Sequence, residues 1–234
     1  AEVALPPPLP EASKTTGSKK WRIAGILVAL AAWAGGVFWR YKHIFFIRKA
    51  TDYVYSDMKG YVRRATNLFN TDYHENITDT LFPPGAHYWF GYLYRMDDTW
   101  HLAMTGQFIL SCMVPVILMG IAWELYGRKA ALLVLAMASL YYPFIDYFAF
   151  FLSEGPFMFA MLLSLWLTIR VVKTRRLVFA LPLGLLTGLV IGGAASIRGV
   201  ALIPVAFVGL ALMFAAIKHR NWRLGVKLVP LAIG

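Results

Sequence analysis

The sequence predicts an all-α polytopic membrane protein, and three observations carry the prediction. Hydrophobic residues make up 59% of the 234 positions and charged residues only 15%, against roughly 25% charged in a soluble domain. The apolar residues fall in runs of roughly 20, the length at which a helix crosses a hydrocarbon core. Lys and Arg sit in short clusters between those runs and form no groove-sized basic helix, so the formal charge of +11 reads as membrane topology and argues against a nucleic-acid partner.

Residues 1–20 carry Pro6-Pro7-Pro8, Pro10 and a Ser/Thr/Lys stretch. That composition cannot bury a core, and it predicts a disordered tail. Residues 21–39 are almost free of charge after Arg22 and predict the first span; the tail ahead of it and the missing small-residue cleavage pattern argue against a signal peptide. Further spans are predicted at 99–125, 129–147, 155–172, 177–197 and 199–217, and a last apolar run begins at Trp222. The 13 residues from Trp222 to Gly234 fall short of a full span, which needs roughly 20. The expectation is therefore a module of about seven transmembrane helices over 21–234 that continues past Gly234. Cys112 is the only cysteine and lies inside an apolar run, which excludes an intrachain disulfide and a cysteine-based metal site.

Counting Lys and Arg in alternate connections puts thirteen on the side of the tail and nine on the other. Eight of the nine lie in the long 40–98 connection, where seven acids nearly balance them. The tail is therefore predicted cytoplasmic and the 40–98 loop on the outer face. Nine of the ten acids beyond the tail then fall on that outer face, Glu124 being the exception. Asp57, Asp146 and Glu154 are among them, and charges beside a bilayer are costly enough to make each a functional candidate. The loop itself predicts two helices along the membrane surface, broken by an Asn- and Thr-containing stretch and by Pro83-Pro84-Gly85. Tyr53, Tyr61, Phe69, Tyr88, Trp89, Tyr92 and Tyr94 have the amphipathic rings suited to that depth.

Three segments stand out in order: Ser56-Asp57-Met58-Lys59-Gly60-Tyr61 after the first span, Leu81-Phe82-Pro83-Pro84-Gly85-Ala86-His87-Tyr88, and Phe151-Leu152-Ser153-Glu154-Gly155-Pro156-Phe157. Together they resemble the GT-C superfamily of integral-membrane glycosyltransferases. The branch most similar is the bacterial one of protein O-mannosyltransferase-like and lipid A aminoarabinose transferase-like enzymes. The resemblance covers most of 21–217. It implies transfer of a sugar from a polyprenyl-phosphate donor to a lipid, glycan or protein acceptor, on the outer face of a bacterial inner membrane, with inversion at the anomeric carbon.

An inverting transfer needs a base to take the acceptor proton while the phosphate leaves from the opposite face. Asp57 matches the first-loop catalytic aspartate of that superfamily, and Ser153-Glu154 matches its second acidic position, where Glu154 would orient the acceptor or hold a metal. Arg198, the sole base between the fifth and sixth spans, suits the donor phosphate, with Lys59, Arg63 and Arg64 as further candidates. Tyr61, His87, Tyr88 and Ser153 are candidates for the sugar or acceptor. A divalent metal is open, with Asp57, Glu154 and His87 as candidate ligands and His74 a loop histidine of the same kind, although no close ligand spacing supports a site. Asn76-Ile77-Thr78 fits a glycosylation acceptor. No Gly-rich phosphate loop is present, so no nucleotide is expected. Two other readings stay open: a transporter or lipid flippase, and a catalytically silent membrane subunit.

Overall fold

The structure, a computed structural model, describes residues 19–70, 83–218 and 226. The predicted tail up to residue 18, His74, the Asn76 triplet and the run from Trp222 (Val226 apart) lie outside the described residues. Every regular element described is helical: α1 (Lys19–Lys42), α2 (Asp57–Asn67), α3 (Pro84–Met96), α4 (His101–Tyr126), α5 (Arg128–Leu140), α6 (Tyr142–Asp146), α7 (Glu154–Lys173), α8 (Leu177–Ile197) and α9 (Leu202–Lys218), with short π and 3-10 turns between some of them. Four helical segments are long and apolar enough to cross a membrane: α1 with its extension to Asp52, α4, α7 and α8. A fifth is added if α5 and α6, bent by 62° at their junction, count as one span. The stretch predicted as the sixth span is helical as α9, but at 17 residues it is not among those spanning helices, and the 40–98 connection holds two helices, α2 and α3.

Helix α4 is the hub, packing against α1, α3, α5 and α7, while α7 in turn packs on α8. The buried core gathers at one end of this bundle, where Met58 and Ala65 of α2 and Phe90 of α3 meet Ala103 and Met104 of α4 and the 148–151 segment ahead of α7. Aromatic rings fasten that end: Trp100 lies 4.8 Å from Phe151 and 4.6 Å from Tyr94, and Phe90 lies 5.5 Å from Phe151. Met58, Tyr61 and Ala65 recur at three- and four-residue spacing and give α2 one buried face.

The third predicted span, 129–147, does not run straight. Tyr141 is extended (φ −71°, ψ 107°) and Pro143 falls in the first turn of α6, where a missing N–H costs nothing. The break leaves the last carbonyls of α5 without helical donors. Arg40, at 0% exposure, supplies them: Nη1 donates to Ser139 O at 2.6 Å and to Gly36 O at 3.1 Å, and Nη2 to Ala138 O at 3.4 Å. Its Nε donates to Ser111 O at 3.1 Å and to Ser111 Oγ at 3.0 Å. Ser111 is four residues before Pro115 in α4, so its carbonyl is the one that Pro115 deprives of an intrahelical N–H. Gly36 makes the approach possible, since a Cβ there would lie 2.5 Å from Ser139 O. Trp33 adds a hydrogen bond to Cys112 O at 3.3 Å.

At the opposite end, Glu124 receives Arg170 Nη1 at 2.7 Å and also engages Lys173, closing α4 onto α7. The Lys and Arg clusters of 19–22, 128–129 and 170–176 flank the ends of α1, α4, α5, α7 and α8 remote from Asp57.

Arg40→Met is expected to cost about 3 kcal/mol, because it strands buried carbonyls. Pro115→Ala should recover part of that loss in the Arg40→Met background by restoring the N–H for Ser111 O, which a double-mutant cycle on unfolding in bicelles would measure as non-additivity. Strictly additive effects would show that Arg40 does not serve the Pro115 break.

Candidate functional site

Asp57 opens α2 directly after Ser56, whose φ of 47° and ψ of −132° put a non-glycine residue in left-handed territory. Such a backbone costs about 1–3 kcal/mol and fixes the angle at which the helix leaves the loop. Asp57 is exposed, in the first turn, where the helix dipole favours a carboxylate. One turn on, Tyr61 is buried on the same face and feels the charge of Asp57.

From Tyr61 a connected set of polar groups crosses to α7 and α8. The Tyr61 hydroxyl donates to Ser153 Oγ at 2.9 Å. Ser153, 1% exposed, faces Glu154 Oε2 at a long 3.5 Å. Glu154 Oε1 takes Nη1 of Arg198 at 2.9 Å, with the two side chains 34% and 40% exposed. The remaining N–H donors of Arg198 have no hydrogen-bond partner among the described residues, and its guanidinium lies 6.0 Å from the Phe157 ring. Arg198 follows the last residue of α8 and is itself extended, and its N–H donates to Ala194 O at 2.9 Å, so the helix end aims it.

Behind Tyr61 stands a second layer. The His87 ring stacks on Tyr61 with centroids 5.1 Å apart. Its Nδ1 lies 3.1 Å from Pro83 O, which can only accept, so Nδ1 carries the proton and Nε2 is left to accept from Arg64 Nη1 at 3.0 Å. Gly85 lets this layer reach α8, because a Cβ there would sit 2.5 Å from Ser196 Oγ and 2.7 Å from the Ser196 carbonyl carbon. The segment ahead of Ser153 is pinned by buried Gln107, whose Nε2 donates to Phe150 O at 2.9 Å.

The structure thus brings Asp57, Tyr61, Arg64, His87, Ser153, Glu154 and Arg198 to one end of the bundle. It does not bring in all the candidates on equal terms. Lys59, Arg63 and Tyr88 are exposed, and Tyr88 stacks on Tyr92 at 6.3 Å. Tyr61, His87, Ser153 and Arg64 are buried at 5%, 2%, 1% and 6% exposure, so direct contact with a sugar or phosphate would require that layer to open. His87 commits both ring nitrogens to protein partners, which removes it as a ready metal ligand. Among the described residues no three His, Cys, Asp or Glu side chains come together around a common point.

Asp146 does not make its contacts with Glu154. Its Oδ1 pairs with Nε2 of His43 at 2.8 Å and accepts from the Tyr142 hydroxyl at 3.1 Å. His43 is 2% exposed and begins a π-helical turn, His43–Ile47, that continues α1. Arg40 and His43 are buried polar groups that the sequence reading does not single out. Their signal was present: two polar side chains one turn apart at the end of an apolar run, preceded by Gly35-Gly36.

Comparison with protein-family models, curated proteins and solved structures finds no match to the chain.

Burial pushes the Tyr61 phenol above the ordinary tyrosine range; its hydrogen bond with Ser153 and the charge of Arg198 pull against that, and Glu154 and Asp57 push with it. A folded-state value above the unfolded one means a stability contribution fully present below about pH 10 and lost as pH rises through the folded value. The phenolate absorbance of the wild type should contain a late-titrating component that is missing in Tyr61→Phe; identical titrations would remove the buried phenol from the site. Gly85→Val should perturb that component as well, by pushing α3 off Ser196, whereas Gly193→Ala, in open space, should leave it unchanged.

Proposed function

We propose that the chain is a membrane glycosyltransferase module that moves a sugar from a polyprenyl-phosphate donor to an acceptor hydroxyl, with inversion, at the face where Asp57 lies. The observation that supports this reading most is the convergence of Asp57, Glu154 and Arg198 from three separate elements, with Arg198 keeping uncommitted N–H donors. In this reading Asp57 accepts the proton of the acceptor hydroxyl as that oxygen bonds to the anomeric carbon. The bond from anomeric carbon to phosphate oxygen breaks with its electron pair on the phosphate, and Arg198 offsets the charge that builds there. Glu154 holds Arg198 in place and faces the acceptor side. Lys59 and Arg63, exposed on α2, suit the pyrophosphate or phosphate of an approaching lipid rather than the reacting centre.

A lipid-linked donor brings its own leaving group, so no nucleotide is required; a divalent cation remains a proposed aid to phosphate departure, with Asp57 and Glu154 as the available carboxylates. The expected setting is a bacterial inner membrane with the N-terminus cytoplasmic and the site periplasmic or extracellular. A transporter or flippase would use charges along a path near the bilayer midplane. Arg40, the fully buried cation of the first span, is instead enclosed by carbonyl groups.

Asp57→Asn should lower turnover of a polyprenyl-phosphate sugar by about 10²–10⁴-fold without changing the melting temperature. Arg198→Gln should act chiefly on the Michaelis constant for the lipid-linked donor. Unchanged turnover in Asp57→Asn would remove Asp57 as the base; unchanged kinetics in both variants would end the transferase reading.

A further inference from the structure

Between α1 and α5, at the end of the bundle remote from Asp57, lies a groove of about 700 Å³. Its floor is apolar and includes Gly25, Ala29 and Leu132, and its mouth carries Trp21, Arg22, Arg128 and Lys129. The two helices run parallel, since Arg22 shares the groove with Arg128 while Arg40 reaches Ser139 further along. Their charged first turns therefore lie side by side.

We infer that this groove binds an anionic phospholipid, its phosphate held by Arg22, Arg128 and Lys129 and one acyl chain laid between α1 and α5. Three independent features point to that occupant. The three cations are exposed and have no acid partner among the described residues, while Glu124 is already taken by Arg170 and Lys173. The N-terminus of α5 has no side-chain cap; its first N–H groups, which a helix leaves without intrahelical acceptors, sit beside those cations. The floor supplies apolar surface in a groove of the size that takes a drug-sized or lipid-sized group, and Trp21 beside it is an interfacial residue with a polar edge. A soluble phosphate would use the mouth and leave the floor uncovered. Basic pockets between spans are the general form of headgroup sites on the cytoplasmic leaflet, the face where the count of Lys and Arg puts this end.

The groove lies apart from the proposed transferase site, so its test stands separately from that reading. The full chain would be reconstituted in nanodiscs of equimolar phosphatidylglycerol and phosphatidylcholine, and lipid retained after transfer to detergent would be counted by native mass spectrometry. The wild type is expected to retain phosphatidylglycerol preferentially, with about a fivefold loss of preference for each cation removed among R22Q, R128Q and K129Q. G25L, whose Cβ meets only Leu132 at 4.0 Å, should fill the floor and lower retention while leaving every charge in place. R175Q/R176Q, which neutralises exposed cations in another connection at the same end, should keep the preference. Equal retention of the two lipids by the wild type would overturn the inference, as would an R175Q/R176Q loss as large as that of R22Q/R128Q, which would mean diffuse attraction. Retention unaffected by G25L would reduce the site to a headgroup contact and overturn the acyl-chain assignment. The single variants, each at an exposed side chain, keep the answer accessible if combined replacements fail to fold.

Discussion

A guanidinium with no acid partner among the described residues organises this bundle. Burying Arg40 is costly, and a carboxylate partner would be the usual compensation. Here the compensation is backbone: the carbonyl that Pro115 leaves unpaired inside α4, the carbonyls at the open end of α5, and the Gly36 carbonyl one turn back in α1. Each of those groups would be expensive inside an apolar environment, where no water can serve it. One side chain therefore resolves two backbone defects at once, and both defects are useful. The break after α5 turns the chain toward Asp146 and then toward Ser153, and the carbonyl freed by Pro115 gives Arg40 an acceptor on α4.

The polar groups at the Asp57 end depend on that arrangement in steps. The α5–α6 bend delivers the 147–153 segment, Gln107 fixes it through Phe150, and Ser153 then meets Tyr61 from a helix more than ninety residues earlier. The outward-facing residues, Asp57, Glu154 and Arg198, are thus backed by a buried layer of Tyr61, Ser153, His87 and Arg64. The exposed ion pair of Glu154 and Arg198 contributes little to stability by itself, about 0–1 kcal/mol. Its role is orientation, whereas the buried layer carries the cost of desolvating polar groups and so fixes their positions.

Much of this was legible in sequence. Hydropathy locates α1, α4, α7 and α8 to within a few residues, and the sequence pattern singles out the acids and Arg198 together with Tyr61, His87 and Ser153. What the pattern hid was the difference between a residue at the site and one beneath it: Asp57 and His87 both read as polar loop residues, yet one is exposed and the other is 2% exposed. Burial of that kind is set by packing between α2 and α3, which periodicity within either helix does not report. The third span bends where a straight one is expected because Tyr142-Pro143 lies inside an apolar run, and hydropathy does not register the missing N–H of proline. A cation near a span end ordinarily snorkels outward, so sequence alone does not reveal that Arg40 is fully buried.

The strained peptide at Ser56 sets stability against aim. Glycine would adopt φ 47° without the steric cost that serine bears, so the fold would gain from replacing Ser56. The same replacement would widen the range of directions in which α2 can start, and Asp57 is the first residue of that helix. Selection for thermal robustness alone would favour glycine at this position. Keeping serine means the carboxylate's direction is held by a backbone that has few other conformations to visit once folded, and a version of this chain made more heat-resistant at this position would carry a carboxylate that no longer points anywhere in particular.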